Sequence, residues 1–220
     1  MIFLAIIGSL IATLTLPGSI ELLLLTLAGL LPARKRSGGT SGPMRFAIVV
    51  PAHNEELNIA RCVQSLYACD RAGVDLTVVV IADNCEDRTA ELATQAGTRT
   101  LVRHNLKKRG KGYALYFAFE TLLPETWHAF IVVDADSEVS PQLIRCMATA
   151  FRSGAQAAQC RYIVRNSAES VRTRLMNVAL YGFNVLRPRG RDRLGLSVGI
   201  YGNGFGLTAE TLRAVPYTAA

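Results

Sequence analysis

The sequence predicts an α/β fold: a mostly parallel β-sheet flanked by helices and preceded by one transmembrane helix. Three observations predict it. Short apolar runs rich in β-branched residues alternate with amphipathic helical periods after residue 45. Most of these runs end in a polar or glycine-rich loop, the pattern of strand–loop–helix units on a parallel sheet. Residues 2–32 form an apolar stretch whose only charge is Glu21, and a bilayer span needs about 20 apolar residues.

The N-terminal stretch reads as a retained span rather than a cleaved signal peptide. No basic region precedes it and no clear small-residue cleavage site follows it. Pro17-Gly18 is expected to kink it or split it into a shallow hairpin. Arg34, Lys35 and Arg36 follow at once, and basic flanks stay in the cytoplasm. The expected organisation is a transmembrane segment over 1–33, a basic and Gly/Ser-rich linker over 34–44, and one domain over 45–220. The expected location is a bacterial-type inner or plasma membrane, with the domain cytoplasmic. The net charge of +7 fits an anionic membrane surface and phosphorylated ligands. No helix interleaves basic and aromatic residues, which argues against a nucleic-acid partner. The five cysteines are scattered without CxxC spacing, so most read as small core residues in a reducing compartment.

The first strand is Phe46 to Val50, ending in Pro51-Ala52-His53-Asn54-Glu55-Glu56. Ile59, Cys62, Val63, Leu66 and Tyr67 then recur at helical spacing. Asn54 and Glu55 suit helix capping, but capping does not account for so polar a loop. The second strand, Leu76 to Ile81, runs into Ala82-Asp83-Asn84-Cys85-Glu86-Asp87-Arg88-Thr89. Asp87 is the expected N-cap. Asp83 stands earlier, where a carboxylate can accept the N–H of a base or a ribose hydroxyl. Cys85 is either a structural residue or a low-pKa thiolate near a helix start.

A third strand, Arg99 to Val102, leads to Lys107-Lys108-Arg109-Gly110-Lys111-Gly112. Four cations and two glycines before a helix oppose its dipole unless an anion binds there. The loop lacks GxxxxGK[ST] and is not a Walker A loop; a plain solvated basic loop is the alternative. The fourth strand, Phe130 to Val133, ends in Asp134-Ala135-Asp136-Ser137. Side chains at i and i+2 of an extended chain point the same way, so the two carboxylates can converge. Two hard oxygen ligands suit Mg²⁺ or Mn²⁺, with phosphate and water completing the shell. Ser140-Pro141 reads as a helix start, and a strand end with a cap is the alternative for the whole stretch.

A fifth strand is expected over 155–164 and a long helix over about 167–186. The helix's arginines, with Arg187, Arg189, Arg191 and Arg193, face either lipid headgroups or water. Gly199 to Gly206 holds four glycines, which lets backbone approach a ligand or makes a turn. On a parallel sheet with right-handed crossovers, these loops gather on one edge. A base, a diphosphate and a metal then meet, as a nucleotide-diphosphate compound requires.

In order and spacing, the Pro51–Glu56, Asp83–Thr89, Gly110-Lys111-Gly112 and Asp134-Ala135-Asp136 segments resemble the serial motifs of family 2 glycosyltransferases. Gly202-Asn203-Gly204-Phe205 resembles their glycine-rich motif before the acceptor site. The resemblance runs from about Arg45 to Ala214. It implies an inverting enzyme of the GT-A fold, the Rossmann-like nucleotide-diphospho-sugar transferase type. It further implies that Pro51, His53 and Glu55 line the nucleoside pocket and that Asp83 holds the base, uracil by preference. Lys111 would lie near base or diphosphate, and Gly204 would lie at the donor. Asp134 would contact ribose or metal, and Asp136 would coordinate Mg²⁺ or Mn²⁺. The implied partners are a UDP-sugar, a carbohydrate or lipid acceptor, and the membrane.

Two departures stand out. Ala82 precedes Asp83 where relatives often carry a second acid. The family's base lies in a short Glu-Asp or Thr-Glu-Asp motif after the glycine-rich segment, and Pro216 to Ala220 supplies none. The base is therefore expected beyond Ala220, and no catalytic residue is assigned in this chain. The reading is a fragment or truncated product that binds donor without efficient transfer, since a lost general base costs about 10²–10⁴-fold. A membrane-anchored nucleotide-sugar-binding module without transfer activity is the first alternative. A haloacid-dehalogenase-type phosphatase is weaker: its motif wants Thr or Val two residues after the second Asp, where Glu138 stands. A sugar nucleotidyltransferase needs a Gly-rich, Arg-containing loop after the first strand, where Pro51–Glu56 stands instead.

Overall fold

A computed structural model describes residues 2–32, 42–161, 163 and 170–219. The chain forms two compact units. One comprises Arg36–Cys160 and Tyr201–Ala220; the other comprises Met1–Lys35 and Arg161–Ile200. Most of the expected 34–44 linker lies outside the described residues.

The first unit is a six-stranded sheet. Its strands are β1 (Met44–Ala52), β2 (Val74–Asp83), β3 (Arg99–Arg103), β4 (Ala129–Val132), β5 (Ala157–Gln159) and β6 (Phe205–Thr208). Their order across the sheet is β3-β2-β1-β4-β6-β5. The first four run parallel, and β6 pairs antiparallel with both β4 and β5. β1 and β2 are longer at both ends than their apolar cores suggest, because ladder hydrogen bonds extend into the polar flanks. β2, for example, continues to Asp83, which pairs with Arg103 of β3.

Strand alternation sorts the core onto two faces. Ile48, Val50, Val78, Val80 and Ile131 face α2 (Ile59–Tyr67) and α5 (Leu143–Arg152). Ala47, Val49, Val79, Ile81 and Val132 face α4 (Lys111–Leu122) and α8 (Ala209–Ala214). Phe46 to Val50 are all fully buried, and each such Val or Ile contributes about 1.5–3 kcal/mol. The expected stripe of α2 is confirmed: Ile59, Cys62, Val63 and Leu66 are its buried residues. The short α3 (Thr89–Gln95) covers β3 less completely and buries Thr89 and Ala93.

Three expectations change here. The fifth strand is only Ala157–Gln159, and residues 162 and 164 of the expected span lie outside the described residues. The glycine-rich stretch also contains a strand, β6, which its composition hid. Gly206 sits there against Phe151 and Ile131; a Cβ would lie 2.9 Å from Phe151 Cζ, so packing demands glycine. The helix start near Pro141 is a turn first: Leu143 N–H donates to Ser140 O at 3.0 Å, and regular helix begins at Leu143.

The second unit is helical. The helix α1 (Ile2–Leu30) is continuous over 29 residues with Pro17 inside it, so Pro17-Gly18 does not split it. Several of its hydroxyls are satisfied within the helix: Thr13 donates to Ser9 O at 2.8 Å, Thr15 to Ile11 O at 2.9 Å and Ser19 to Thr15 O at 3.0 Å. The expected long helix comprises α6 (Val171–Tyr181), a π-helical turn (Gly182–Leu186) and α7 (Arg187–Arg193). Its start over 167–169 lies outside the described residues. Ser170 caps α6, its Oγ accepting from Thr173 N–H at 3.1 Å. The π turn ends two residues before Pro188, which can donate no helical hydrogen bond.

Candidate functional site

The sheet order reverses at β1. From it the chain builds outward through β2 and β3, and then β4 is added on the other side. The carboxyl ends of β1 and β4 therefore flank a topological switch point, where open α/β sheets bind ligands. Pro51-Ala52-His53 leaves β1 there, and Asp134 follows β4. Because β6 runs antiparallel to β4, its leading loop arrives at the same edge: Gly204 N–H donates to Val132 O at 2.9 Å.

The loops after β1 and β2 are tied to each other. Glu55 N–H donates to Thr89 Oγ1 at 2.7 Å, Glu56 N–H to Asp87 Oδ2 at 3.0 Å, and Glu86 N–H to Asn54 Oδ1 at 2.9 Å. Asn54 and Asn84 take left-handed backbone, at φ 55° and 52°, a region in which Asn is favoured over most residues. Asp87 is not the N-cap itself, since Arg88 holds that position. Its carboxylate instead accepts from Thr89 N–H at 3.0 Å and joins the two loops. Partial desolvation works to raise its pKa. The hydrogen bonds from Thr89 and from the Glu56 N–H outweigh that and hold it below the ordinary value.

Asp83 is buried at the end of β2. Its Oδ1 accepts from the Arg103 guanidinium and, at 3.1 Å, from Asn84 Nδ2. Asn84 Oδ1 accepts from Asn105 N–H at 2.7 Å, so the loop after β3 is fixed as well. His53 Nδ1 lies 2.8 Å from Asp83 O. Pro51, Ala52, His53, Asp83, Asn84, Arg109, Gly110, Lys111 and Ala114 enclose a cavity of about 210 Å³. That is less than the roughly 300–1,000 Å³ that encloses a drug-sized ligand, so it accommodates part of a nucleotide-sized molecule. Glu55 is not in this wall; its Oε2 accepts from Asn58 Nδ2 at 2.8 Å.

Lys111 connects this cavity to the carboxylates. It lies at the start of α4, after Gly110 at φ 104°. Its ammonium donates both to Asp134 Oδ1 and to Gly202 O. Asp134 and Asp136 are not successive outward residues of a strand. β4 ends at Val132, and Ser137 N–H donates to Asp134 O at 3.0 Å, closing a turn. Ala135 is buried in that turn, Asp134 is half-buried and Asp136 is exposed. Asn203 braces the turn, its Oδ1 accepting from Asp134 N–H at 3.1 Å and its Nδ2 donating to Ser137 Oγ at 2.9 Å. Gln159 in turn holds the glycine loop, donating to Asn203 O at 2.7 Å and accepting from Tyr201 N–H at 3.0 Å. Gly204, at φ 66°, has no room for a side chain, since a Cβ would lie 3.0 Å from Cys160 Cβ.

Among the described residues, no group of three His, Cys, Asp or Glu side chains could hold a metal. Among the described residues, Asp136 has no hydrogen bond or ion pair, and Asp134 has one oxygen outside the Lys111 contact. Their carboxylates are hard oxygen donors of the kind that suits Mg²⁺ or Mn²⁺.

Burial holds the thiols near the site above the ordinary cysteine range. Burial, followed by the charges of Asp136 and Asp134, pushes Cys62 up to about 12; burial does the same to Cys160. Burial also raises Cys85, contrary to a low-pKa thiolate there. At about pH 8, iodoacetamide should modify the exposed Cys146 and leave Cys62 and Cys160 unmodified until denaturant is added. Peptide mass spectrometry would read this directly, and rapid labelling of Cys62 in the folded protein would contradict it.

Sequence reasoning missed Arg103, Asn84, Gln159 and Asn203. Asp83 and Arg103 share a register position, but that pairing is visible only once β2 and β3 are known to be parallel neighbours.

A sequence model described as glycosyl transferase family 2 matches residues 47–210. A dolichol-phosphate mannosyltransferase of Pyrococcus furiosus is 26% identical over 132 residues, 58% of this chain and 36% of the relative. A low-salt glycan biosynthesis hexosyltransferase of Haloferax volcanii is 35% identical over 75 residues, 34% of this chain and 17% of the relative. Among solved structures, a mannosyltransferase from Pyrobaculum calidifontis in complex with GDP-Man and Mn²⁺ superposes with a TM-score of 0.66. It is 20% identical, with 94% of this chain and 57% of that one covered. Glucosyl-3-phosphoglycerate synthase from Mycobacterium tuberculosis, solved with uridine diphosphate, gives a TM-score of 0.53 at 21% identity, covering 77% and 58%. These two likenesses show the GT-A fold. The chain spans about a third or less of these curated relatives and less than three fifths of these solved chains.

Proposed function

The chain belongs to glycosyl transferase family 2, and from that we propose that it transfers a sugar from a nucleotide-diphosphate sugar to a hydroxyl acceptor. The proposed donor is a UDP-sugar, the acceptor a carbohydrate or lipid, and the reaction inverting and metal-dependent. One observation carries the reading: Lys111 belongs both to the cavity wall and to the carboxylate turn. It sets a base-sized cavity one side chain away from two acids that suit a diphosphate-bound cation.

In this reading the nucleoside enters the cavity between Pro51, His53 and Asp83. Arg109 and Lys111 face the diphosphate, and the amino end of α4 adds favourable dipole there. The glycine loop at 202–204, held by Gln159 and Asn203, offers backbone close to the sugar. Asp136 and the remaining oxygen of Asp134 would hold a divalent ion, which when bound neutralises charge on the departing nucleoside diphosphate. The acceptor hydroxyl oxygen bonds to the anomeric carbon in line as the bond from that carbon to the nucleoside diphosphate breaks, with inversion, and the hydroxyl proton passes to a general base other than the residues named above. The apolar α1 and the Arg34–Arg36 flank support a membrane-anchored protein with its sheet unit cytoplasmic. A relative named for dolichol phosphate is consistent with a lipid acceptor.

The test is calorimetric titration of the detergent-solubilised chain with UDP, GDP and UDP-sugars, with and without Mn²⁺. Metal-enhanced binding of UDP above GDP supports the donor reading. Preference for GDP would move the donor to the guanosine class, and absence of binding by the folded protein would reject the site.

A further inference from the structure

The arginines of α7 set a limit on how much of α1 can lie in a bilayer. Arg187 and Arg191 approach Glu21 at 3.6 and 3.7 Å, and Arg189 donates to Leu31 O at 3.3 Å. Between these levels the helices touch through glycines. A Cβ on Gly190 would lie 2.1 Å from Leu25 O, and one on Gly29 would lie 2.7 Å from Leu186 O. Backbone contact through small residues is a usual mode of helix packing at membranes. Arg187, Arg189, Arg191 and Arg193 fall in seven residues, and arginine is among the costliest side chains to place in hydrocarbon. Wherever α7 touches α1, from Glu21 to Leu31, the helix must therefore be at or outside the headgroups.

What remains of α1 fits a span on its own. Residues 2–20 of the 29-residue helix, at about 1.5 Å each, reach roughly 28 Å, against a hydrocarbon core of about 30 Å. The adjoining α6 buries none of its residues. Val171, Leu175 and Val178 are 71%, 65% and 70% exposed and recur at i, i+4 and i+7, one helical face. Arg172 and Arg174 lie on the same helix. Among the described residues this unit carries seven arginines against Glu21 and Asp192, a balance that selects an anionic surface.

We propose that the bilayer boundary crosses α1 at Glu21, and that segment 171–193 lies on the membrane as a collar contacting anionic lipid headgroups. This rests on the membrane reading of α1. It shortens the expected span from 1–33 to 2–20 and assigns α6 a lipid-facing role.

Tryptophan depth measurements test it on the full chain in vesicles of phosphatidylcholine with and without phosphatidylglycerol, using lipids brominated at shallow or deep acyl positions. Trp127 is the single native tryptophan and is buried, which gives a constant background. Leu10→Trp, Leu23→Trp, Leu27→Trp and Leu175→Trp all alter exposed positions. Leu10→Trp should be quenched by deep bromines, and Leu23→Trp and Leu27→Trp only by shallow ones. Leu175→Trp should be quenched by shallow bromines, at least about twofold more in anionic vesicles. Deep quenching of Leu23→Trp equal to that of Leu10→Trp would place the boundary near residue 33 and overturn the proposal. An unquenched Leu175→Trp would overturn the collar and point to a protein covering α6. An unquenched Leu10→Trp would reject the membrane reading itself.

Discussion

Asp136→Ala should abolish the Mn²⁺ dependence of nucleotide binding while leaving the fold intact. Asp136 is exposed and has no hydrogen bond or ion pair among the described residues, so its removal costs little stability, within about 0.5 kcal/mol for such surface sites. Even changes in the outer shell of a metal site cost about 10–100-fold in metal affinity. Loss of one of two carboxylate ligands should therefore cost about 10²-fold or more. In calorimetry the variant's UDP affinity with Mn²⁺ should fall to the value measured without it, at unchanged Tm. Asp134→Ala should behave differently. It also releases Lys111, which holds Gly202 O, so both metal-dependent and metal-independent binding should weaken. Full Mn²⁺ enhancement in Asp136→Ala would remove this residue from the metal assignment.

Arg103→Met should be the most destabilising single change at the site. The side chains of Asp83 and Arg103 are 7% and 10% exposed. Removing one partner of a buried pair strands the other charge, at about 3–5 kcal/mol. Asn84 Nδ2 still donates to Asp83, which favours the lower end. At about 2–4 °C per kcal/mol for a domain of this size, the melting midpoint should drop by roughly 6–12 °C. Arg103→Met combined with Asp83→Asn removes the stranded charge and should recover about half of the loss. A fall of less than about 1 kcal/mol in the single variant would show that water reaches Asp83 through the cavity. The pair would then be a surface ion pair in energetic terms.

The strands and the chemistry at their ends were legible because both are local. Apolar β-branched runs must be buried, and each run is followed by the loop that carries its polar groups. Pro51, His53, Asp83 and Lys111 were thus picked out before any contact was known, and they do enclose one cavity. The amphipathic spacing of α2 likewise specifies its buried face, whatever it packs on.

Other features depend on neighbours distant in sequence. The reversal of strand order between β1 and β4 creates the crevice, and nothing within either strand encodes it. β6 is a strand because it can pair with β4 and β5; its Gly206 records the close approach of Phe151 and Ile131 rather than a loop. The Asp134 carboxylate is placed by a turn that Asn203 and Lys111 stabilise from 69 and 23 residues away, so the alternation argument does not describe the geometry of Asp134 and Asp136. Asp83 finds Arg103 only through parallel registry. Burial and strand propensity are properties of short segments and survive in the sequence. The meeting of this cavity, a lysine and two carboxylates requires the chain to close loops of tens of residues, and the pairing of strands selects which loops close.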